Sequence, residues 1–220
     1  MNIKKSISNY LFTSDTHFSQ QRALELSRRP FSNLEEMDSA ILENINDKVR
    51  ELYKINNELP TLLHLGDFGN HELVKEINCP VILIMGNYER REAEEKNINL
   101  QEYAEYLMST YQYEDVYTSP ITMPIGPLSN TSNMPVKRVT LCHEPIQGYK
   151  FTLNDKNIDY VLYGHIHGRQ KVKHFGIDVG VDGSNYRPNT TDDILFFLNA
   201  LDKGYYDEEV WCDDVTWHKR

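Results

Sequence analysis

Five apolar segments of this chain each stop at polar residues that can bind a metal ion or a phosphate, and this repetition restricts the folds open to it. The segments and the residues that follow them are 9–14 before Asp15 and His17, 61–65 before Asp67, 81–85 before Asn87, 136–142 before His143, and 159–163 before His165 and His167. Open α/β sheets build their binding sites where the carboxyl ends of the strands meet. We therefore predict that seven side chains, spread from position 15 to position 167, converge on one cleft.

Segments with helical periodicity lie between the predicted strands. Apolar residues recur at three- and four-residue steps from Leu34 to Leu52, which predicts an amphipathic helix of about 20 residues. Further helices are predicted over residues 69–78 and 100–111, and residues 191–201 fit a helix or a strand, of which we favour the helix. The predicted β-pairs are 117–123 with 136–142 and 172–175 with 177–181. This order of elements predicts a layered α/β sandwich.

The composition excludes several classes of protein. No apolar run approaches the roughly 20 residues that span a bilayer, so we expect no membrane segment. The first ten residues lack the apolar stretch of a signal peptide and the 3 cysteines are widely spaced, so we expect a cytoplasmic protein with reduced thiols. The net charge of −10 disfavours duplex nucleic acid as a partner. The length fits one domain, spanning residues 1–220.

The seven predicted site residues comprise two Asp, one Asn and four His. A set of nitrogen and oxygen donors without a thiolate suits Mn²⁺, Fe, Zn²⁺ or Mg²⁺. Seven ligands are too many for one tetrahedral ion and fit two ions that share a carboxylate. Within an extended segment, the Asp-x-His and His-x-His pairs each place both side chains on one side. Two ions about 3.5–4 Å apart can clamp and activate a phosphorus centre.

The same residues fall in five blocks that resemble, in this order, the signature blocks of the calcineurin-like metallophosphoesterases: Asp15-Thr16-His17, Gly66-Asp67, Gly86-Asn87, His143 and Gly164-His165-Ile166-His167. The resemblance runs from about residue 11 to residue 188. Three further motifs resemble those of a small, single-domain bacterial and phage branch of this family: Arg29-Pro30-Phe31, Glu36-Met37 and Gly180-Val181-Asp182. The resemblance implies a four-layer α/β/β/α sandwich, with two sheets face to face, that hydrolyses phosphoesters.

The resemblance also implies a role for each of the seven residues. The first divalent ion would be held by Asp15, His17, Asp67 and His167. Asp67 would bridge to a second ion, completed by Asn87, His143 and His165. A hydroxide bridging the two ions would attack phosphorus in line, and Asn87 would also contact a phosphate oxygen. Mn²⁺ is the expected cofactor, with Fe, Zn²⁺, Mg²⁺ and Ni²⁺ as alternatives.

Position 88 departs from the family pattern. The family usually has His there, which donates a proton to the leaving oxygen, whereas this chain has Tyr88. Tyrosine stays protonated at neutral pH and can donate a hydrogen bond, but it does not exchange protons there as histidine does. Losing general acid catalysis costs about 10²–10⁴-fold. We therefore predict a phosphodiesterase rather than a phosphomonoesterase, with Tyr88 as a proton donor or as a wall of the pocket. Gln20 is a second departure, at a position where similar sequences often carry His.

The remaining candidates have structural alternatives. Arg91 is a candidate phosphate-binding residue, and a solvated ion pair is the alternative. His64 lies within a predicted buried strand, so we expect it in the core or behind the site. We expect His71 at the surface. Cys142 precedes His143 but should point away from the site by strand alternation.

The predicted substrate is a small phosphorylated or nucleotide-type molecule, because the net charge of −10 repels long polyanions. One alternative is a metal-binding but catalytically silent scaffold, which only Tyr88 favours. Another is a nuclease or end-processing phosphatase, which would use the basic residues Lys137, Arg138 and 169–173. The many Asn and Tyr residues, with Lys exceeding Arg, indicate a bacterial or phage coding genome. The sequence leaves the oligomeric state open.

Overall fold

The computed structural model describes residues 9–128, 134–154, 160–168 and 172–205. The helices are α1 Gln21–Leu26, α2 Leu34–Asn56, α3 Asn87–Glu95, α4 Leu100–Tyr111, α5 Pro145–Asn154 and α6 Thr191–Asp202. The strands are β1 Tyr10–Thr13, β2 Thr61–His64, β3 Val81–Ile84, β4 Asp115–Tyr117, β5 Ile121–Ile125, β6 Lys137–Leu141, β7 Tyr160–Tyr163, β8 Val172–Lys173, β9 Gly176–Asp178 and β10 Asn189–Thr190. These elements form a mixed α/β fold with two five-stranded sheets.

The first sheet has the strand order β10-β1-β2-β3-β4. Strands β1 to β4 are parallel, and β10 pairs antiparallel with β1. Every residue of β1, β2 and β3 is buried, as expected of parallel strands that are covered on both faces. Thr13 lies opposite His64, which lies opposite Leu83, so the three strands end at nearly the same height.

The second sheet has the order β5-β6-β7-β9-β8, in which β6, β7 and β9 are parallel. Leu141 lies opposite Leu162, so β6 and β7 also end together. An isolated parallel bridge between Ser14 and Gly180 connects the end of β1 with the segment that follows β9. This bridge brings the carboxyl ends of the two sheets next to each other.

Two large hydrophobic clusters lie on opposite faces of the first sheet. Leu11 and Leu83 pack with the apolar stripe of α2 and with α4. Phe12 and Leu63, whose side chains alternate to the other face, pack with Leu141 and other residues of the second sheet and with α6. Strand alternation therefore buries one face of the first sheet under helices and the other against the second sheet.

The sequence predictions of elements hold for most of the chain, with three differences. Residues 115–117 form β4 of the first sheet, and the arm that pairs with β6 begins only at Ile121. The crossover over residues 69–78 is a 3₁₀ helix, His71–Glu76. Helices α1, α3 and α5 were not predicted from the sequence. Within the described ranges, no helix is both long and apolar enough to cross a membrane.

Candidate metal centre

The structure brings together all seven side chains predicted for the site, at the adjoining carboxyl ends of the two sheets. Asp15 and His17 follow β1, Asp67 follows β2, Asn87 begins α3 directly after β3, His143 follows β6, and His165 and His167 follow β7. We call these residues the seven-residue cluster. Five of them line a cleft of about 350 Å³, while Asp15 and His143 are buried beneath it.

Two groups of potential metal ligands overlap within the seven-residue cluster. Atoms of Asp15, His17 and His167 lie within 4.8 Å of one another, and so do atoms of Asp15, Asp67 and His143. The Asp67 Oδ2 atom is 3.7 Å from His17 Nε2 and 3.4 Å from His143 Nε2, so it lies between a histidine of each group. Asn87 Nδ2 is 3.2 Å from His165 Nδ1, which places these two residues side by side.

The hydrogen bonds leave one nitrogen of each of three histidines facing the site. Nδ1 of His17 donates to Gln20 Oε1 at 2.8 Å, and Nδ1 of His143 donates to the Leu65 carbonyl at 2.7 Å. Nδ1 of His167 lies 2.7 Å from Asp182 Oδ2. Each bond fixes the tautomer in which Nε2 carries the lone pair that a metal requires. Gln20 therefore serves this purpose although it departs from the histidine of similar sequences.

Three buried polar atoms of the seven-residue cluster have no hydrogen-bond partner among the described residues, which tests whether the site fits a metal. These atoms are His17 Nε2, His143 Nε2 and Asn87 Oδ1. Buried polar groups are normally paired, because leaving one unpaired costs about 1–3 kcal/mol. Each of these atoms can donate an electron pair to a cation, the histidine nitrogens when their imidazoles are neutral, and cation binding at His143 therefore releases its proton. The donor set therefore fits divalent cations.

Five of the seven residues have left-handed backbone conformations, with φ of 57° at Asp15, 49° at His17, 57° at Asp67, 70° at His165 and 51° at His167. Such conformations are uncommon for residues with a side chain and cluster at functional sites. The prediction that the two His-containing pairs lie in extended segments is therefore wrong. The side chains converge because the chain turns sharply after each strand.

Buried Glu89 holds two of these turns together. Its carboxylate accepts hydrogen bonds from the backbone N–H groups of Asp67 at 3.0 Å, Phe68 at 2.8 Å and Gly86 at 2.7 Å. Burial, followed by the charge of Asp67, raises the pKa of Glu89. This residue thus connects the loops after β2 and β3.

Arg29 and Asp182 form a second support, on the other side of the seven-residue cluster. The buried Arg29 guanidinium donates from Nε and Nη2 to the Asp182 carboxylate at 2.9 and 3.0 Å, and from Nη1 and Nη2 to the carbonyls of Thr16 at 2.7 Å and Asp15 at 2.6 Å. Asp182 in turn accepts from His167. The sequence analysis noted both residues only as parts of a resemblance, because nothing in their spacing shows that residues 29 and 182 pair.

Burial and neighbouring charges shift the pKa values of the buried groups of the site in different directions. Burial favours neutral imidazole, yet the nearby Asp67 carboxylate raises the pKa of His143 to about 10. The pKa of Asp67 is held below its usual range: burial raises it, but His143 and His17 lower it by more. Burial lowers the pKa values of His17 and His165. Burial and the charge of Asp15 raise the pKa of Asp178 to about 7. The cluster therefore holds an ion pair of His143 and Asp67 that a cation would replace.

Tyr88 forms part of the cleft wall. Its backbone N–H donates to Asp67 Oδ1 at 3.0 Å, and its ring meets the His17 ring edge-on at 4.9 Å. The Arg91 guanidinium lies over the Tyr88 ring, 5.3 Å from its centre, and Arg91 is not among the residues that line the cleft. Arg22, which the sequence analysis did not single out, does line it.

The other candidates have structural roles in the described part of the chain. His64 is fully buried, and its Nε2 lies 3.0 Å from the Thr16 hydroxyl. The prediction that His71 lies at the surface is wrong: it is 7% exposed and bonds Tyr113 and Glu92, because the 3₁₀ helix turns it inward. Burial raises the pKa of Cys142 to about 12, so this thiol stays protonated. Residues 169–171 of the basic stretch lie outside the described residues.

Three comparisons with known proteins found similar proteins. The family model described as calcineurin-like phosphoesterase matches residues 8–169. The uncharacterized protein MJ1445 of Methanocaldococcus jannaschii is 24% identical over 214 residues, which are 90% of this chain and 94% of that protein. The crystal structure of a protein of unknown function, AQ665 from Aquifex aeolicus, superposes with a TM-score of 0.58 at 21% identity, covering 84% of this chain and 96% of that one. The structural match shows that the two proteins share a fold.

Proposed function

This chain belongs to the calcineurin-like phosphoesterase family and is a metal-dependent phosphoesterase, and from the arrangement of its site we propose that it uses two divalent ions to hydrolyse phosphodiesters. The observation that carries the proposal is the set of unpaired, buried donor atoms on His17, His143 and Asn87. Buried polar atoms are usually paired, and these three donors lie together in one cluster. Two cations shared through Asp67 would satisfy all three.

We assign the seven-residue cluster to two overlapping ligand sets. Asp15, His17, Asp67 and His167 would hold one ion, and Asp67, Asn87, His143 and His165 the other. The position of Asp67 Oδ2 within 4 Å of a histidine from each set supports its role as the bridging ligand. When bound, the ions supply an activated water as the nucleophile and neutralise charge on the phosphoryl oxygens. Mn²⁺ is the proposed metal, because the donor set mixes carboxylate, amide and imidazole.

The preference for diesters rests on Tyr88. Its ring lines the cleft, and a phenol does not exchange protons at neutral pH as an imidazole does. A monoester of an alkyl alcohol needs a strong general acid, whereas an aryl or nucleotidyl leaving group needs less help. The cleft of about 350 Å³ has the size of a small-molecule site, which supports a small nucleotide-type substrate over a long polyanion.

We also infer that residues 1–220 form one domain with the four-layer arrangement implied by the family. The shared core between the two sheets and the helical cover over the outer face of the first sheet support this arrangement.

The test is turnover of a nitrophenyl phosphodiester and the matching monoester with Mn²⁺, Fe²⁺, Zn²⁺, Mg²⁺ or Ni²⁺. We expect metal-dependent cleavage of the diester that is lost in Asp67→Asn and kept in Asp47→Asn, which makes the same change at an exposed site. Tyr88→His should increase monoester cleavage relative to diester cleavage. Metal binding by equilibrium dialysis without turnover in any metal would instead favour the catalytically silent scaffold.

A further inference from the structure

Among the residues that the structure describes, Arg22 is the one permanently charged cation that lines the cleft over the seven-residue cluster. Its lining consists of His17, Arg22, Ala23, Ser27, Asp67, Asn87, Tyr88, His165 and His167. Asp67 is the single carboxylate in that lining, and it belongs to the proposed metal ligands. Arg22 is therefore left without a negative partner inside the cleft, in a protein whose net charge is −10.

Helix α1 carries Arg22 and is attached to the seven-residue cluster at both ends. Gln20, immediately before α1, accepts the hydrogen bond from His17 Nδ1 at 2.8 Å. Ser27, immediately after α1, has its hydroxyl 3.1 Å from His167 Nδ1. These two contacts fix both ends of the short helix against the seven-residue cluster, and Arg22 and Ala23 of the helix line the cleft. The position of Arg22 is therefore determined by the same histidines that we assign to the metal.

The other arginines near the site are committed to partners. Arg29 pairs with Asp182, Arg90 donates to the Thr118 carbonyl at 2.6 Å, and Arg91 lies over Tyr88. Arg22 is exposed and, among the residues that the structure describes, has neither a hydrogen bond nor an ion pair. Arg22 is thus free to bind a ligand and lines the cleft, whereas Arg28, which is also exposed, does not line it.

Arg22 differs from the proposed metal ligands in its exposure to solvent. The donor atoms of Asp15, Asp67 and His143 lie on residues that are 0 to 3% exposed, at the floor. Arg22 is exposed at the rim. A phosphodiester held over the floor therefore leaves Arg22 for another anionic group of the same molecule. The planar guanidinium matches a phosphate, to which it can donate two parallel hydrogen bonds.

We propose that Arg22 binds a second, non-reacting phosphate of the substrate, so that the enzyme prefers small nucleotide-type diesters that carry a further phosphate. This inference rests on the proposed function, because it takes the floor of the cleft as the place of reaction. It replaces Arg91 with Arg22 as the phosphate-binding arginine. Arg91 then orients the Tyr88 ring from outside.

The test compares thymidine 5′-(p-nitrophenyl phosphate) with its 3′-phosphorylated counterpart, in the Mn²⁺-loaded protein. The two substrates have the same leaving group and differ by one phosphate. We expect kcat/KM to be about 10-fold higher for the 3′-phosphorylated substrate, the usual size of one charged hydrogen-bonded contact. Arg22→Ala should abolish this preference while keeping turnover of the unphosphorylated substrate, and Arg22→Lys should keep part of it. Arg28→Ala, which removes an exposed arginine next to α1 that does not line the cleft, and Arg91→Ala should both leave the preference intact.

Direct binding makes the result independent of turnover. By calorimetry, thymidine 3′,5′-bisphosphate should bind about 10-fold more tightly than thymidine 5′-phosphate to the Mn²⁺-loaded wild type and equally to Arg22→Ala. Turnover with equal kcat/KM for both substrates would overturn the role of Arg22 and leave the proposed function standing. Loss of the preference in Arg91→Ala instead of Arg22→Ala would also overturn it. Absence of turnover would count against the proposed function, and the binding comparison would still decide the role of Arg22.

Discussion

Asp182→Asn should weaken the binding of one metal ion and spare the other. The Asp182 carboxylate accepts from His167 Nδ1 at 2.7 Å and from Arg29 at 2.9 and 3.0 Å. Asparagine keeps one oxygen and replaces the other with an N–H₂ group, which then faces a donor. Burial lowers the pKa of His167, but the bond to Asp182 raises it by more, so the imidazole becomes a weaker base without the carboxylate.

The size of this effect follows from the number of contacts that are lost. Removing a carboxylate behind a metal-binding histidine typically costs 10–100-fold in metal affinity, or about 1.4–2.7 kcal/mol. We expect the upper half of this range, because the asparagine N–H₂ group would face another hydrogen-bond donor, His167 or Arg29, at a contact that is largely buried. His167 belongs to the first proposed ligand set alone, so the second ion should keep its affinity within about twofold.

The assay is a calorimetric titration of metal-free protein with Mn²⁺, which resolves two binding steps. One step should weaken by about 30-fold or more in Asp182→Asn, and neither step should change in Asp47→Asn, the matched substitution in an exposed ion pair. At saturating Mn²⁺ the variant should recover most of its turnover. Equal weakening of both steps, or no weakening, would refute the assignment of His167 to one ion and the role of Asp182 behind it.

Three further predictions concern stability. Glu89→Ala removes the acceptor of three backbone N–H groups and should lower the free energy of unfolding, measured in urea, by about 3 kcal/mol. Glu95→Ala, on the exposed side of the same helix, should change this free energy little. Similar values for the two variants would contradict the role of Glu89. Mn²⁺ at 100 times its dissociation constant should stabilise the protein by about 2.7 kcal/mol per site. In a thermal melt, Tm should then be several degrees higher than in an EDTA control. An unchanged Tm would argue against Mn²⁺ binding to the folded protein. In EDTA, the stability that His143 contributes is fully present below about pH 6.5 and is lost as the pH rises to about 10, because the pKa of His143 is raised in the folded state. His143→Gln should therefore flatten the curve of Tm against pH between these two values. An unchanged slope would show that another group causes the pH dependence.

Most of the fold could be predicted because apolar runs and helical periodicity are local signals. The segment of β3 was identified from five consecutive apolar residues, those of β1 and β2 from three apolar residues each, and α2 from a stripe that recurs from Leu34 to Leu52. The family resemblance, which the match to residues 8–169 confirms, rests on the residues that directly follow these strands. Helix α3 escaped prediction because its sequence, rich in charged residues, has no apolar stripe, and its first residue Asn87 already belongs to the site.

The supports of the site escaped prediction because they depend on distant pairs. Arg29 and Asp182 are 153 positions apart, and Ser27 and His167 are 140 positions apart; Gln20 is the local exception, three positions from His17. The sharp turns after the strands are a second feature that apolar patterns do not contain, since strand periodicity stops where these turns begin. Gly66, Gly86 and Gly164 show why the turns are possible: a side chain at any of them would overlap the Asp67 or Asp15 carboxylate, the His143 ring or the facing backbone. Each glycine is thus required by a residue of another block, because the backbone passes close to His143 at Gly66, to Asp67 at Gly86 and to Asp15 at Gly164. We therefore expect Gly164→Ala to displace Asp15 and to lower Mn²⁺ affinity, although position 164 itself offers no ligand atom.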